Sequence, residues 1–440
     1  MKFTSLIPVP ALSLVSALAL SVPLSAQSQP SYSITDLGPA GNPFSQATGL
    51  NNYGLVTGVD TASNGNQHAV AWYWGTLTDI SRPGLGGVNS AAGGVNKFGQ
   101  IIGVAETSAT DPKNENFCGF GTSRQCVAFL WDFGTMTALP SLGGTNSTFG
   151  GINDLGEIAG IAENAHHDTR CPTKAAVNGT GPLYYDFEAV VWGPSPGQVR
   201  ELPPLPGDTV GMAFAVNDAG EVAGASGSCL NTVLPGFASA PNAVVWEKDG
   251  TVHRLPNLGG SAPDTTILGA GNVAEAINNR GIVAGQATLV DNTTWHPVLW
   301  QDGVISDLGV LPGDLVGAAL NLNNRGEVVG ASVSAPGPSS GNPRAFVWRQ
   351  GAMTDLNSLV PKDSPLYLLT AFAINDSGEI AGFGATSDGE LHGFLAKPCR
   401  EDPDACSRDN TGDARRNVNP RPVLSETARR SLLRWGLRSH

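Results

Sequence analysis

The chain is poor in charge. Asp, Glu, Lys and Arg make up 14% of 440 residues, too few for a coiled coil or a long-helix bundle, which would be rich in Glu, Lys, Leu and Ala. Basic residues are outnumbered 25 to 38, giving a net charge of −13. The first 26 residues carry +1 and the segment 400–440 carries +3, which leaves −17 on the stretch between. A body of that sign does not attract phosphate backbones or anionic lipid, so nucleic acid is not expected as a partner. Two enzyme signatures are also missing. There is no phosphate-binding G-x-x-x-x-G-K-[ST] loop and no H-E-x-x-H pair. No C-x-x-C spacing supports a zinc site, the rival reading of the cysteines. Beyond residue 26 no apolar run approaches spanning length.

What is present begins with a leader. Lys2 followed by the apolar run Ala11–Leu24 and the small pair Ser25-Ala26 predicts a signal peptide over residues 1–26. An uncleaved anchor is the alternative. The mature chain is then expected outside the cytoplasm or in the cell envelope, where six cysteines would form disulfides. Proximity suggests Cys118 with Cys126, Cys399 with Cys406, and Cys171 with Cys229. Six cysteines allow fifteen connectivities, so sequence does not decide among them.

Glycine is abundant, 56 residues, and much of it belongs to a repeat. N-x-x-G-x-[IV]-x-G occurs seven times, opening at Asn51, Asn96, Asn153, Asn217, Asn278, Asn323 and Asn375, each preceded by an aliphatic residue. The pattern predicts a tight β-hairpin. Asn favours the turn, the first Gly supplies positive φ, and alternating apolar residues start a second strand. The second Gly is expected to allow close backbone approach between sheets. The acidic residues of the hairpins, Glu157, Glu221, Glu327 and Glu379, are expected to face solvent.

A third strand follows each hairpin and ends in Trp72, Trp131, Trp192, Trp246, Trp300 and Trp348, with Ala396 in the seventh copy. A turn Gly and a fourth strand come next in six copies. The seventh copy stops without one, while an unpaired strand of that type, SITDLG from Ser33, precedes the first hairpin. Four strands per unit and seven units, the last completed from the N-terminus, predict an all-β, seven-bladed β-propeller over residues 27–398. A linear β-solenoid is the rival fold. Residues 399–440 form an Arg-rich, flexible tail, with a short helix over Ser425–Leu437 or an envelope anchor as alternatives.

These hairpins, with their H-A-F/V-x-W strands and L-G-G or L-P-G-D turns, resemble the HAF family of bacterial extracellular repeat proteins, over roughly Tyr32–Pro398. The resemblance implies a secreted repeat protein and carries over no catalytic residues. Ala396 departs from the pattern in the last unit.

Any site is expected on the face bearing the loops between second and third strands. From the second hairpin Gly to the Trp slot, units two to four span 28, 32 and 22 residues, against 14 to 18 in the other four. Insertions on one face of a repeat protein are the usual place for binding. Candidates there are His166, His167 and Asp168, which could hold a metal only if adjacent side chains converged. Tyr184, Tyr185 and Trp295 are candidates for stacking on a sugar or peptide. His68, His296 and His392 recur at one position and are assigned a structural role. The expectation is a monomeric, non-enzymatic propeller that binds an extracellular protein or glycan, with no cofactor and no metal. An extracellular enzyme acting on a polysaccharide or small ester, or a structural envelope protein, are the alternatives.

Overall fold

The computed structural model describes residues 31–38, 44–171, 183–195, 197–229, 240–260, 271–334, 342–399 and 423–425. The expected signal peptide, Cys406 and nearly all of the Arg-rich tail lie outside them. The described chain forms seven four-stranded antiparallel sheets, the blades of a seven-bladed β-propeller. Blade 1 runs outward from the channel as β2 (Ser45–Leu50), β3 (Leu55–Thr61), β4 (Gln67–Tyr73) and β5 (Thr76–Asp79). Blades 2 to 6 repeat this order in sequence. Blade 7 takes its first three strands from β26 (Tyr367–Ile374), β27 (Ile380–Ala385) and β28 (Leu391–Pro398). Its outer strand is β1 (Tyr32–Asp36), paired antiparallel from Tyr32 opposite Pro398 to Asp36 opposite Phe394.

Side chains lock this seam. Tyr32 is fully buried against Phe394 and Ala396, and its hydroxyl donates to the Gly378 carbonyl at 3.2 Å. Asp36 meets His392 Nδ1 at 3.0 Å. The same His–Asp contact joins third and outer strands in blade 1, His68 to Asp79, and in blade 5, His296 to Asp307, both at 2.9 Å. The recurring histidines are therefore structural. The small Ala396 is itself buried beneath Tyr32 and the neighbouring apolar side chains.

The repeat motif has a physical explanation at each position. The hairpin Asn carries an amide because it must accept and donate at once. Asn278 Oδ1 accepts from the backbone N–H groups of Arg280 and Ile282, both at 3.0 Å, holding its own turn. Its Nδ2 donates to the Asn323 carbonyl of the next blade at 3.0 Å. Each Asn repeats the donation, and Asn375 closes the circle on the Asn51 carbonyl at 3.1 Å. Seven buried amides thus stitch seven blades into one ring. The first Gly of each turn has φ between +72° and +84°, a region costly for residues with a Cβ.

Two expectations are corrected here. The second Gly does not serve packing between blades. Every innermost strand carries a β-bulge just before its Asn, as between Ala274 and Ala276 in blade 5, and the second Gly lies opposite the start of that bulge. A Cβ on Gly285 would come within 2.0 Å of the Val273 carbonyl in the same blade. The hairpin glutamates also do not simply face solvent. Glu157, Glu221, Glu327 and Glu379 are half-buried and accept from the Nδ2 of their own hairpin Asn at 2.6–2.8 Å.

The Trp slots anchor neighbouring blades. Trp72, Trp192, Trp246 and Trp300 are fully buried. Their indole N–H groups donate to the carbonyls of Leu37, Pro140, Pro203 and Pro256, each in the segment that follows the outer strand of the preceding blade. Of the tail, Val423–Ser425 are described, and they lie against blade 7. Leu424 is 3% exposed in the cluster of Phe44, Tyr367 and Leu391, and the Ser425 N–H donates to the Gly389 carbonyl at 3.0 Å.

Candidate functional site

The two faces of the ring differ as the loop lengths require. One carries the short Asn hairpins and the turns after each Trp. The other carries the insertions of blades 2 to 4, whose described residues pack together. The blade-2 insertion, residues 111–123, reaches into blade 3. Asp111 Oδ2 accepts from Thr145 Oγ1 at 2.8 Å and from Asn146 Nδ2 at 3.0 Å, and Glu115 accepts from the Tyr184 backbone. Phe117 is fully buried among Ile161, Phe187 and Met212 of blades 3 and 4. Two disulfides fasten the platform, Cys118–Cys126 within blade 2 and Cys171–Cys229 between blades 3 and 4. Both pairings match the expectation from proximity. Cys399 is also disulfide-bonded.

The platform is rich in buried carboxylates. Glu115 and Glu163 are fully buried, and each leaves one carboxylate oxygen without a hydrogen bond among the described residues. Burial, with the charge of Glu163 next, pushes Glu115 up to about 8. Burial also raises Glu163 to about 7, against the hydrogen bonds it accepts from Asn146 and Thr145. Glu188 is raised to about 8 by burial and then by the charge of Glu201.

Of the candidate side chains, His166 and Asp168 both meet Asp186, and His167 turns away to Tyr184. His166 Nδ1 lies 2.8 Å from Asp186 Oδ2. The His167 ring stacks on Tyr184 with centroids 3.8 Å apart and planes 5° from parallel. Asp168 is chelated by the Arg170 guanidinium at 2.6–3.0 Å, which holds its carboxyl down at about 2. The three do not converge on a common point. Lys113 Nζ sits 4.2 Å from the Tyr184 centroid. A ring already 3.8 Å away leaves no room for an ammonium on the same side, so both faces of Tyr184 are occupied. Tyr185 meets Tyr184 edge-on. Trp295 stands apart in blade 5, 6% exposed against Val316, and offers no open face. Cys171, Asp186 and Cys229 bring ligand-type atoms together, but both sulfurs are spent in the disulfide.

A second site lies in the channel, where sequence reading named no residue. Its cavity has a volume of about 410 Å³. The walls come from the bulge residues, because a bulge turns its extra residue out of the alternation. Blades 1 to 3 contribute Thr48 and the glycine pairs Gly93-Gly94 and Gly150-Gly151. Blades 4 to 7 contribute Phe214, Glu275, Leu320 and Phe372. Phe149 fills the space that the missing side chain of Gly93 leaves. On the platform side, Cys118–Phe120 of the blade-2 insertion line the same cavity. Glu275 is its one charged group among the described residues. Burial pushes that carboxyl up to about 8. The sequence signal was available: three residues before the seven hairpin Asn stand Thr, Gly, Gly, Phe, Glu, Leu and Phe, and Glu275 alone is ionisable.

No family model matches the sequence, and no curated protein matches it. Solved structures do match in fold. An oligogalacturonate lyase in complex with manganese is 9% identical, with a TM-score of 0.48 over 84% of this chain and 94% of its own. A Pyrococcus horikoshii acylaminoacyl peptidase is 12% identical, with a TM-score of 0.46 over 82% of this chain and 52% of its own; the chain therefore spans about half of that enzyme. A gluconolactonase from Xanthomonas campestris is 10% identical, with a TM-score of 0.35 over 83% and 89%. At these identities the likeness concerns the fold alone and carries nothing about chemistry.

Proposed function

We propose that this protein is an exported, non-enzymatic recognition propeller of the HAF repeat type, binding an extracellular protein or glycan through the blade 2–4 platform. The observation that carries the reading is the asymmetry of the ring. Four blades keep short connections, yet three consecutive blades carry long insertions whose described residues interlock and are fastened by disulfides. Fastened loops lose less conformational freedom on binding, which favours affinity. The exposed polar groups of the platform, Lys113, His166 and Arg170, suit hydrogen bonding to a polar partner. Export is supported by the leader sequence and by disulfides, which persist in oxidising compartments.

The test is a glycan array, together with cross-linking to proteins of the cell envelope, probed with the full chain and two sets of variants. Lys113→Ala with Arg170→Ala alters the platform. Phe133→Ser alters a residue 88% exposed on the opposite face. The reading expects at least a ten-fold loss with the first set and no change with the second. Equal loss from both, or loss from Phe133→Ser alone, would contradict it.

A further inference from the structure

We propose that the central channel is a binding site for a small organic monocation, an ammonium bearing apolar or aromatic substituents, with Glu275 as its counter-ion. This site is separate from the platform face and does not depend on what that face recognises.

The cavity, at about 410 Å³, falls in the size range of small-ligand pockets, roughly 300–1,000 Å³. Neutral polar side chains line it, Gln46, Thr48, Gln67, Thr148 and Asn321, together with aromatic rings. Phe149, Phe214 and Phe372 line it from three blades and Phe120 from the blade-2 insertion. Benzene faces attract cations through their quadrupoles, most strongly when both are desolvated. Glu275 occupies the bulge position of blade 5, between the paired residues Ala274 and Ala276. Its carboxyl has no hydrogen bond or ion pair among the described residues, whereas each hairpin glutamate accepts from an Asn amide. A carboxylate among phenyl rings is costly, so the group takes up a proton when alone and ionises only when a cation supplies the opposite charge. A bare metal ion fits poorly, because calcium and magnesium want six or more oxygen ligands. One carboxylate beside four phenyl rings instead matches a cation whose charge is shielded by carbon.

The chemistry also predicts a proton. With Glu275 pushed up to about 8 by burial, the neutral acid predominates in the empty site at pH 7. A bound ammonium favours the carboxylate, so association must release protons. No other titratable side chain among the described lining residues competes for that assignment, since Cys118 is in a disulfide.

The experiment is calorimetric titration of the full chain at pH 7 with choline and with benzyltrimethylammonium, in buffers of different ionisation enthalpy. The neutral isostere 3,3-dimethylbutanol and calcium serve as comparisons. The proposal expects one-to-one binding of at least one ammonium with measurable proton release. It expects at least ten-fold weaker binding and no proton release in Glu275→Gln. Phe214→Leu should weaken binding while keeping the proton release, which separates charge from packing and serves if Glu275→Gln fails to fold. No binding of either ammonium, equal binding of the isostere, binding of calcium instead, or a Glu275→Gln variant with unchanged affinity would each overturn it.

Discussion

Removing one amide from the hairpin ring gives a sharp test of what holds the blades together. Asn278 is the most informative position, because residue 282 is Ile where four other blades place a Glu on the amide. Its replacement therefore disturbs no neighbouring acid. Asn278 is 5% exposed and makes three hydrogen bonds, two to its own turn and one to the Asn323 carbonyl. At about 1 kcal/mol net for each bond, Asn278→Ala should cost about 3 kcal/mol. Asn278→Asp keeps both acceptor contacts and loses the donor, leaving a carboxylate facing a buried carbonyl. That change should cost about 1–3 kcal/mol. Urea unfolding followed by the fluorescence of the buried tryptophans would read both as shifts in midpoint with little change in slope. An Asn278→Ala variant within about 0.5 kcal/mol of the parent, the range of ordinary surface substitutions, would refute the claim that the amide ring carries load between blades.

Two further outcomes follow from the platform. Glu115, Glu163 and Glu188 have folded-state values of about 8, 7 and 8, above the ordinary 4.5. Their contribution to stability is therefore complete below about pH 4.5 and is lost as pH rises through 7 to 8. The melting temperature should fall between pH 6 and pH 9, and Glu115→Gln should flatten that fall; equal melting temperatures at both pH values would contradict the burial of these groups. Reduction should matter more at Cys171–Cys229, which closes 58 residues, than at Cys118–Cys126, which closes 8. Loop-closure entropy gives about 4 and about 2.5 kcal/mol respectively, measurable by unfolding the single Cys→Ser pairs, and a reversed order would refute the assignment.

Much of the architecture was legible because the repeat reports it directly. Seven hairpins, a Trp slot and a displaced outer strand are patterns along the chain, and together they favour a closed ring over a linear solenoid. The Cys118–Cys126 pairing was legible from proximity, and Cys171–Cys229 as the pair left over. What failed was whatever depends on strand register. The second Gly looks like a packing residue until the bulge opposite it is known, and a bulge leaves no mark in an alternation as short as Val273–Ile277. The inter-blade half of each Asn, its donation to the next turn, joins residues 45 to 64 apart within the chain and 324 apart at the seam. Proximity along the chain cannot supply that. The channel site shares this difficulty, since Glu275 becomes visible as an exception only when the bulge residues of all seven blades are superposed. The platform residues His166, Tyr184 and Trp295 were singled out by residue type. Geometry places the first two in a mutually satisfied cluster and buries the third elsewhere.

The most direct test of the closed ring is complementation of its seam. Deleting residues 27–38 removes β1, with buried Tyr32 and the Leu37 carbonyl that Trp72 binds. The account predicts a lower melting temperature that a synthetic peptide spanning residues 31–38 restores in a concentration-dependent manner. It also predicts that a peptide carrying Tyr32→Ala and Asp36→Ala does not restore it. Unchanged stability on deletion, or equal rescue by the altered peptide, would show that the seventh blade is not closed by the N-terminal strand.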